Sequence, residues 1–114
     1  HASANGKAVL ANGSPEVVRQ LLANELPRFT DTTITDPDEL RAELAAIRER
    51  GFAVNRGEWR SDVGSVAAAV MGGHEKPIAS LSVNIPMSRL TQESEAGFGA
   101  AVNEAASSLS ARLG

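Results

Sequence analysis

IRERGFAVN, residues 47–55, is where the chain changes its period, and the reading of the fold turns on it. Upstream, Leu40, Leu44 and Ile47 recur at helical spacing, Arg48 and Arg50 bring positive charge to the last turn, and Gly51 supplies the left-handed residue that closes a helix. Downstream, Phe52-Ala53-Val54-Asn55 reads as a strand and Gly57-Glu58-Trp59 as a turn. Val63-Gly64-Ser65-Val66-Ala67-Ala68-Ala69-Val70 follows as a near-continuous run of small apolar residues, the pattern of a strand buried on both faces.

Working back toward the start, Asp36-Pro37-Asp38-Glu39 opens the helix that Gly51 ends, with Asp36 as cap and Glu39 placed to reach back to its N–H. The Thr-rich residues 28–35 (RFTDTTIT) read as an extended connector. Ser14-Pro15-Glu16 starts an earlier helix whose buried stripe is Val17, Val18, Leu21 and Leu22, and Leu26-Pro27 ends it. Before that, Ser3 caps a short helix stopped by Asn12-Gly13. Toward the end, Gly72-Gly73-His74-Glu75-Lys76 is a polar turn, with His74 a solvated residue in it. Pro77-Ile78-Ala79-Ser80-Leu81-Ser82-Val83-Asn84 alternates as a second hairpin strand, and Pro86 stops it. A last helix begins near Thr91, with Phe98, Ala101, Val102, Ala105, Leu109 and Leu113 on one face. So small a sheet leaves its outer strand unpaired, an aggregation hazard unless a partner chain or a further part of the protein covers it.

The composition narrows the function. A chain of 114 residues with 42% hydrophobic residues suits one globular domain, and its net charge of −3, without any Lys/Arg cluster, argues against direct nucleic-acid binding by this segment. The lack of cysteine removes disulfides, thiolate metal sites and thiol nucleophiles together, and fits a reducing cytoplasm. There is neither a signal-peptide pattern nor an apolar stretch long enough to span a membrane.

Candidate chemistry is sparse. HASANGKAVLA, residues 1–11, suggests a phosphate loop, but Lys7 is followed by Ala8 rather than Ser or Thr, and the position five before Gly6 is His1 rather than Gly. The free N–H groups of Ala4, Asn5 and Gly6 at a helix start suit a small anion, though the residues alone favour an ordinary capped helix with Gly6 present for close packing. His1 and His74 lack ligand-spaced partners, so no metal or other cofactor is expected. Ser3, Ser65, Ser80 and Ser82 have no elbow motif and no histidine placed as base, and the carboxylates lie mostly on exposed helix faces. The chain does not read as an enzyme. The remaining oddity is polar residues on buried-looking strands: Ser65 on one, and Ser82 with Asn84 sharing a face on the next. Converging with Asn55 and the helix start, they describe a mostly apolar pocket with a few fixing polar groups, or polar residues merely tolerated in a core.

The order of motifs resembles the IclR-type bacterial transcriptional regulators. Residues 1–11 are similar to their H-A-S-A-x-G-K-A-x-L-A segment, and Thr30 to Ile34 with Leu40 to T-x-x-T-I…L. Ile47 to Ala53 is similar to I-R-x-R-G-Y-A with Glu58 as the acid that follows, Val66 to Val70 to V-A-A-P-V, and Ala79 to Thr91 to A-x-L-S-V-x-G-P-x-S-R-L-T. The resemblance runs collinearly from His1 to Leu113. It implies an α+β, GAF-like (profilin-like) effector-binding domain, a curved antiparallel sheet with helices on one face and a small-molecule pocket on the other. Residues 1–114 would form part of that single domain, without its first strands and without the family's N-terminal winged helix-turn-helix. By resemblance the pocket residues are Ala4, Asn5, Asn55, Val63, Ser65, Ser82 and Asn84, and the effector is a small organic acid or aromatic. Operator DNA would be bound by the other domain, in a cytoplasmic homodimer or tetramer. The chain departs from the pattern around the pocket: Asp62 for Gly, Ser65 for Cys, Ala69 for Pro, and Asn84-Ile85 for Ser-Gly. The competing expectation is a GAF-like dimerisation module with no physiological ligand.

Overall fold

The computed structural model describes residues 1–73 and 76–113, so His74, expected in a turn, lies outside the described residues, as does the side chain of Leu113. Among the described residues, four α-helices and three strands follow one another as α1 (Ala4–Asn12), α2 (Pro15–Leu22), α3 (Pro37–Arg50), β1 (Ala53–Arg56), β2 (Val63–Met71), β3 (Pro77–Pro86) and α4 (Gln92–Leu113), with a 3-10 turn at Met87–Arg89.

The helix starts are made by the predicted caps. Ser3 Oγ accepts the Gly6 N–H at 2.9 Å, Ser14 Oγ that of Glu16 at 3.2 Å, and Asp36 Oδ1 that of Asp38 at 3.1 Å. Glu39 is exposed and makes no bond back to Asp36 among the described residues, so α3 starts on the Asp36 cap and Pro37 without the reciprocal half of a capping box. Gly51 takes φ +91° and donates its N–H to Ile47 O at 2.8 Å, closing α3 as the sequence requires. α4 opens on Thr91, whose Oγ1 accepts the Ser94 N–H at 3.1 Å while its own N–H goes to Ser94 Oγ at 2.9 Å.

The three strands are antiparallel in the order β1-β2-β3. Asn55 pairs with Ser65 and Ser65 with Asn84, and two residues along, on the same face, Ala53 pairs with Ala67 and Ala67 with Ser82. Alternation sends successive residues of β2 to opposite faces, and both are covered. Ala53 and Ala67 pack with Ala4, Ala8 and Ala11 of α1 and Leu40, Leu44 and Ile47 of α3. Val54, Val66, Ala68, Val70 and Ile85 pack with Val102 and Ala106 of α4.

The antiparallel α+β sheet stands as expected, but its helices lie on both faces rather than one: α4 alone on one side, α1 backed by α3 on the other. The buried stripe of α4 also differs from the expected one. Gly99, Val102, Ala106 and Leu109 face the sheet, while Phe98, Ala101 and Ala105 are exposed. The missing side chain of Gly99 is what lets the helix lie against Phe52, and a position with no side chain gives no hydrophobic signal to read.

Residues 28–35 are not a simple connector. Thr33 is buried, and its hydroxyl bonds to Glu58 O while accepting the Thr30 N–H at 2.9 Å. Thr32 Oγ1 donates to Arg56 O at 2.9 Å or Gly57 O at 2.8 Å. The threonines dock the loop on the β1–β2 turn, whose carbonyls they satisfy.

Candidate functional site

The first turn of α1 stands over the polar row of the sheet. Ser3 takes up the N–H groups of Gly6, through its hydroxyl, and of Lys7, through its carbonyl, leaving those of Ala4 and Asn5 with no partner among the described residues. Ala4 itself is fully buried against the sheet. The Asn5 side chain reaches β3, where its Oδ1 accepts from Ser80 Oγ at 2.7 Å and its Nδ2 donates to Ser82 Oγ at 3.1 Å.

Below lies the row Asn55, Ser65 and Asn84, side by side on adjacent strands and facing the α1 side. Asn55 is buried and wholly engaged: its Nδ2 donates to Ala2 O at 2.9 Å and its Oδ1 accepts the Glu58 N–H at 2.8 Å. Ser65 is buried and Asn84 exposed, and neither side chain bonds to any other described residue. Val63, part-buried, follows on the same face opposite Pro86. The structure therefore brings all seven predicted residues to one side of the sheet, but it divides them. Asn5 and Asn55 hold the fold through their side chains, whereas the exposed Asn5 N–H and Asn84 side chain, with the buried Ala4 N–H and Ser65 hydroxyl, have no partner among the described residues. Of the departures from the family pattern, Ser65 and Asn84 meet in this row, while Asp62 lies exposed in the β1–β2 turn.

Sequence reasoning missed the residues beneath this wall. Lys7, the residue that suggested a phosphate loop, is 1% exposed. Its ammonium donates to Val54 O at 2.6 Å and to both Glu58 oxygens at 3.0 and 2.8 Å, and Glu43 Oε1 lies 3.8 Å away. Glu58 Oε2 also accepts the Arg56 N–H at 3.3 Å. The available signal was spacing: position 7 falls on the stripe of Ala4, Ala8 and Ala11, so a lysine there is a buried one. Ser80 was equally legible, two residues before Ser82 on an alternating strand.

Beside Ser3 opens a cleft of about 460 Å³ lined by His1, Pro27, Phe29 and Trp59, and the buried His1 Nε2 has no partner among the described residues. No group of three His, Cys, Asp or Glu residues that could hold a metal ion occurs among the described residues. Nor is any described helix long and apolar enough to cross a membrane.

Residues 1–111 match the family model for the C-terminal region of the bacterial transcriptional regulator IclR. The chain belongs to the IclR family. Residues 1–111 are C-terminal sequence of that family, and the relatives they match carry the names of transcriptional regulators and repressors. The transcriptional repressor IclR of Escherichia coli is 36% identical over 115 residues, an alignment that takes in 100% of this chain and 42% of the repressor. The chain thus spans well under half the length of such relatives. The crystal structure of Thermotoga maritima IclR superposes with a TM-score of 0.94 at 30% identity, over 99% of this chain and 46% of that one. An IclR homologue from Microbacterium hydrocarbonoxydans, solved in complex with 4-hydroxybenzoate, gives a TM-score of 0.82 at 27% identity, over 98% of this chain and 46% of its own.

Proposed function

We propose that this IclR-family chain binds a small organic acid at the start of α1 and that binding modulates operator recognition by a winged helix-turn-helix elsewhere in a longer, cytoplasmic protein. What supports the reading is that two unpartnered N–H groups, those of exposed Asn5 and buried Ala4, share one side of the sheet with the unbonded side chains of buried Ser65 and exposed Asn84. A helix N-terminus favours negative charge, so the carboxylate sits on the N–H pair. The rest of the acid lies along Val63, Ser65, Ser82 and Asn84, with Asn55 buttressing the wall from below. An aromatic acid, of the kind held by the Microbacterium hydrocarbonoxydans homologue, has its apolar surface to bury as well.

On this reading residues 1–114 are part of one effector-binding domain, its other strands pair with the outer edge of β3, and the whole protein assembles as a dimer or tetramer. The effector works by its differential affinity for two arrangements of the assembly, about 1–3 kcal/mol being enough to change operator affinity several-fold to about a hundredfold.

The test is a titration with acetate, benzoate and 4-hydroxybenzoate, read from the fluorescence of Trp59, the sole tryptophan, which lines the cleft beside Ser3. Ser82→Ala with Asn84→Ala should weaken 4-hydroxybenzoate by about tenfold, about one lost hydrogen bond to the far end of the acid. An unchanged affinity in that double variant sinks the site.

One observation favours a second reading, a dimerisation module without a ligand: Asn5 and Asn55 are already satisfied within the protein. Thermal unfolding separates the two. An acid at a hundred times its Kd adds about 2.7 kcal/mol of stability, and a ligand-free module gains nothing from any of them.

A further inference from the structure

The face of α1 that meets the sheet is alanine on alanine: Ala4, Ala8 and Ala11 against Ala53 and Ala67. Such a seam packs closely but has no large side chains to interdigitate, so it opposes a slide of the helix along the strands only weakly. Directional polar bonds must then set where the helix start stands, and most of them meet at one node. Lys7, one turn into α1, holds Glu58 and the Val54 carbonyl. Glu58 is in turn held by the N–H it gives to Asn55 Oδ1 and by the bond of Thr33 to its carbonyl, and Asn55 reaches the segment leading into α1 through Ala2 O, just before the Ser3 cap. The loop runs from helix to turn to strand and back to the segment before the helix, all three hydrogens of the buried ammonium being used.

We infer that Lys7 and Glu58 are positioning residues of the acid-binding site: their buried pair fixes the Ala4 and Asn5 N–H groups over the Ser65–Asn84 row. The inference rests on the effector reading above. A buried ion pair adds little stability over apolar residues of the same size, so its use here is to specify one arrangement of helix and sheet, as outer residues do for groups that touch a ligand. Glu43 provides the contrast, since it lies 3.8 Å from the Lys7 ammonium and pairs with Arg50 at 3.3 Å but makes no bond to the β1–β2 turn among the described residues.

The test replaces both partners, Lys7→Met with Glu58→Leu, in the intact protein and measures three things: melting temperature, benzoate affinity by calorimetry, and amide exchange by NMR. The double variant should melt close to the parent, bind benzoate about tenfold more weakly, and exchange faster at Gly6, at Ala8 and at the residue 58 N–H that Asn55 accepts, while Leu44 and Ile47 stay protected. Glu43→Gln should leave the affinity unchanged. A double variant that binds as tightly as the parent overturns the inference, and so does a Glu43→Gln variant that weakens binding equally, because local charge rather than position would then be at work. If the parent itself ignores benzoate, the effector reading fails for that acid, and amide exchange alone judges the positioning role: unaltered exchange at Gly6, Ala8 and residue 58 overturns it. Should that double variant fail to fold, Lys7→Met with Glu58→Gln, which removes both charges and keeps the shape of residue 58, is carried through the same three measurements with the same criteria.

Discussion

Lys7 shows what a single residue can demand of a fold. Its ammonium is removed from water and satisfied by one carbonyl and one carboxylate, an arrangement that costs nothing further only while every partner stays in place. Removing either partner alone leaves a buried charge without its counterion, a loss of about 3–5 kcal/mol, comparable with the whole stability of a modest domain. Gly51 makes a smaller demand of a different kind. At φ +91° it lies where side chains are strained, and an added Cβ would stand 2.7 Å from Asn103 Nδ2. Gly51→Ala should therefore cost about 2 kcal/mol, of which roughly 1–2 kcal/mol is backbone, read as a drop in the urea midpoint without a change in slope. A loss below a few tenths would show that the α3–β1 junction relaxes freely. The need for Gly51 was legible from the chain, because helix closure depends on neighbours in sequence. The burial of Lys7 was less so, since its partner Glu58 is 51 residues away.

At the scale of the element, α4 carries two glycines with opposite roles. Gly97 has nothing within 4 Å of its missing Cβ, whereas at Gly99 that atom would fall 2.4 Å from the Phe52 ring. Gly97→Ala should raise stability by about 0.5–1 kcal/mol through helix propensity alone. Gly99→Ala gains the same propensity but must push an aromatic ring out of a packed seam, an overpacking cost of about 1–3 kcal/mol, so it should lower the melting temperature. Two changes of the same sign would contradict the placement of Phe52 under α4. The same pair explains why the expected inward stripe of α4 holds at Val102 and Leu109 but not at Phe98, Ala101 and Ala105: the strongest hydrophobe, Phe98, lies outside, and the closest approach uses a residue with no side chain. The threonine loop escaped reading for a similar reason, because threonines binding remote carbonyls look like threonines in any extended segment.

At the scale of the whole molecule, two small cores share one sheet, and β2 is the only strand hydrogen-bonded on both sides among the described residues. β3 carries the outer edge, with Ile78, Val83 and most of its neighbours exposed. On the proposal that further strands of the same domain pair there, amide exchange along β3 should be fast in residues 1–114 alone and slow by orders of magnitude in the longer protein, while exchange in β2 changes little. Equal exchange in the two would place the missing strands elsewhere. The same edge bears on the effector site, since Ser82 and Asn84 lie on β3 and a neighbouring strand would shield one side of the acid.

By itself the sequence determined the order of helices and strands, the caps at Ser3, Ser14 and Asp36, the left-handed stop at Gly51, the two-sided burial of β2 and, through its collinear motifs, membership of the IclR family. Each of these depends on residues close together along the chain or on a pattern repeated in order. Tertiary structure alone decided which polar residues brace the wall and which stay open, where the threonines dock, which side of α4 faces inward, and that the lysine of the opening motif is a buried counterion. Those outcomes depend on partners brought together only by packing, and burial sets whether a charge or a hydroxyl must find a mate.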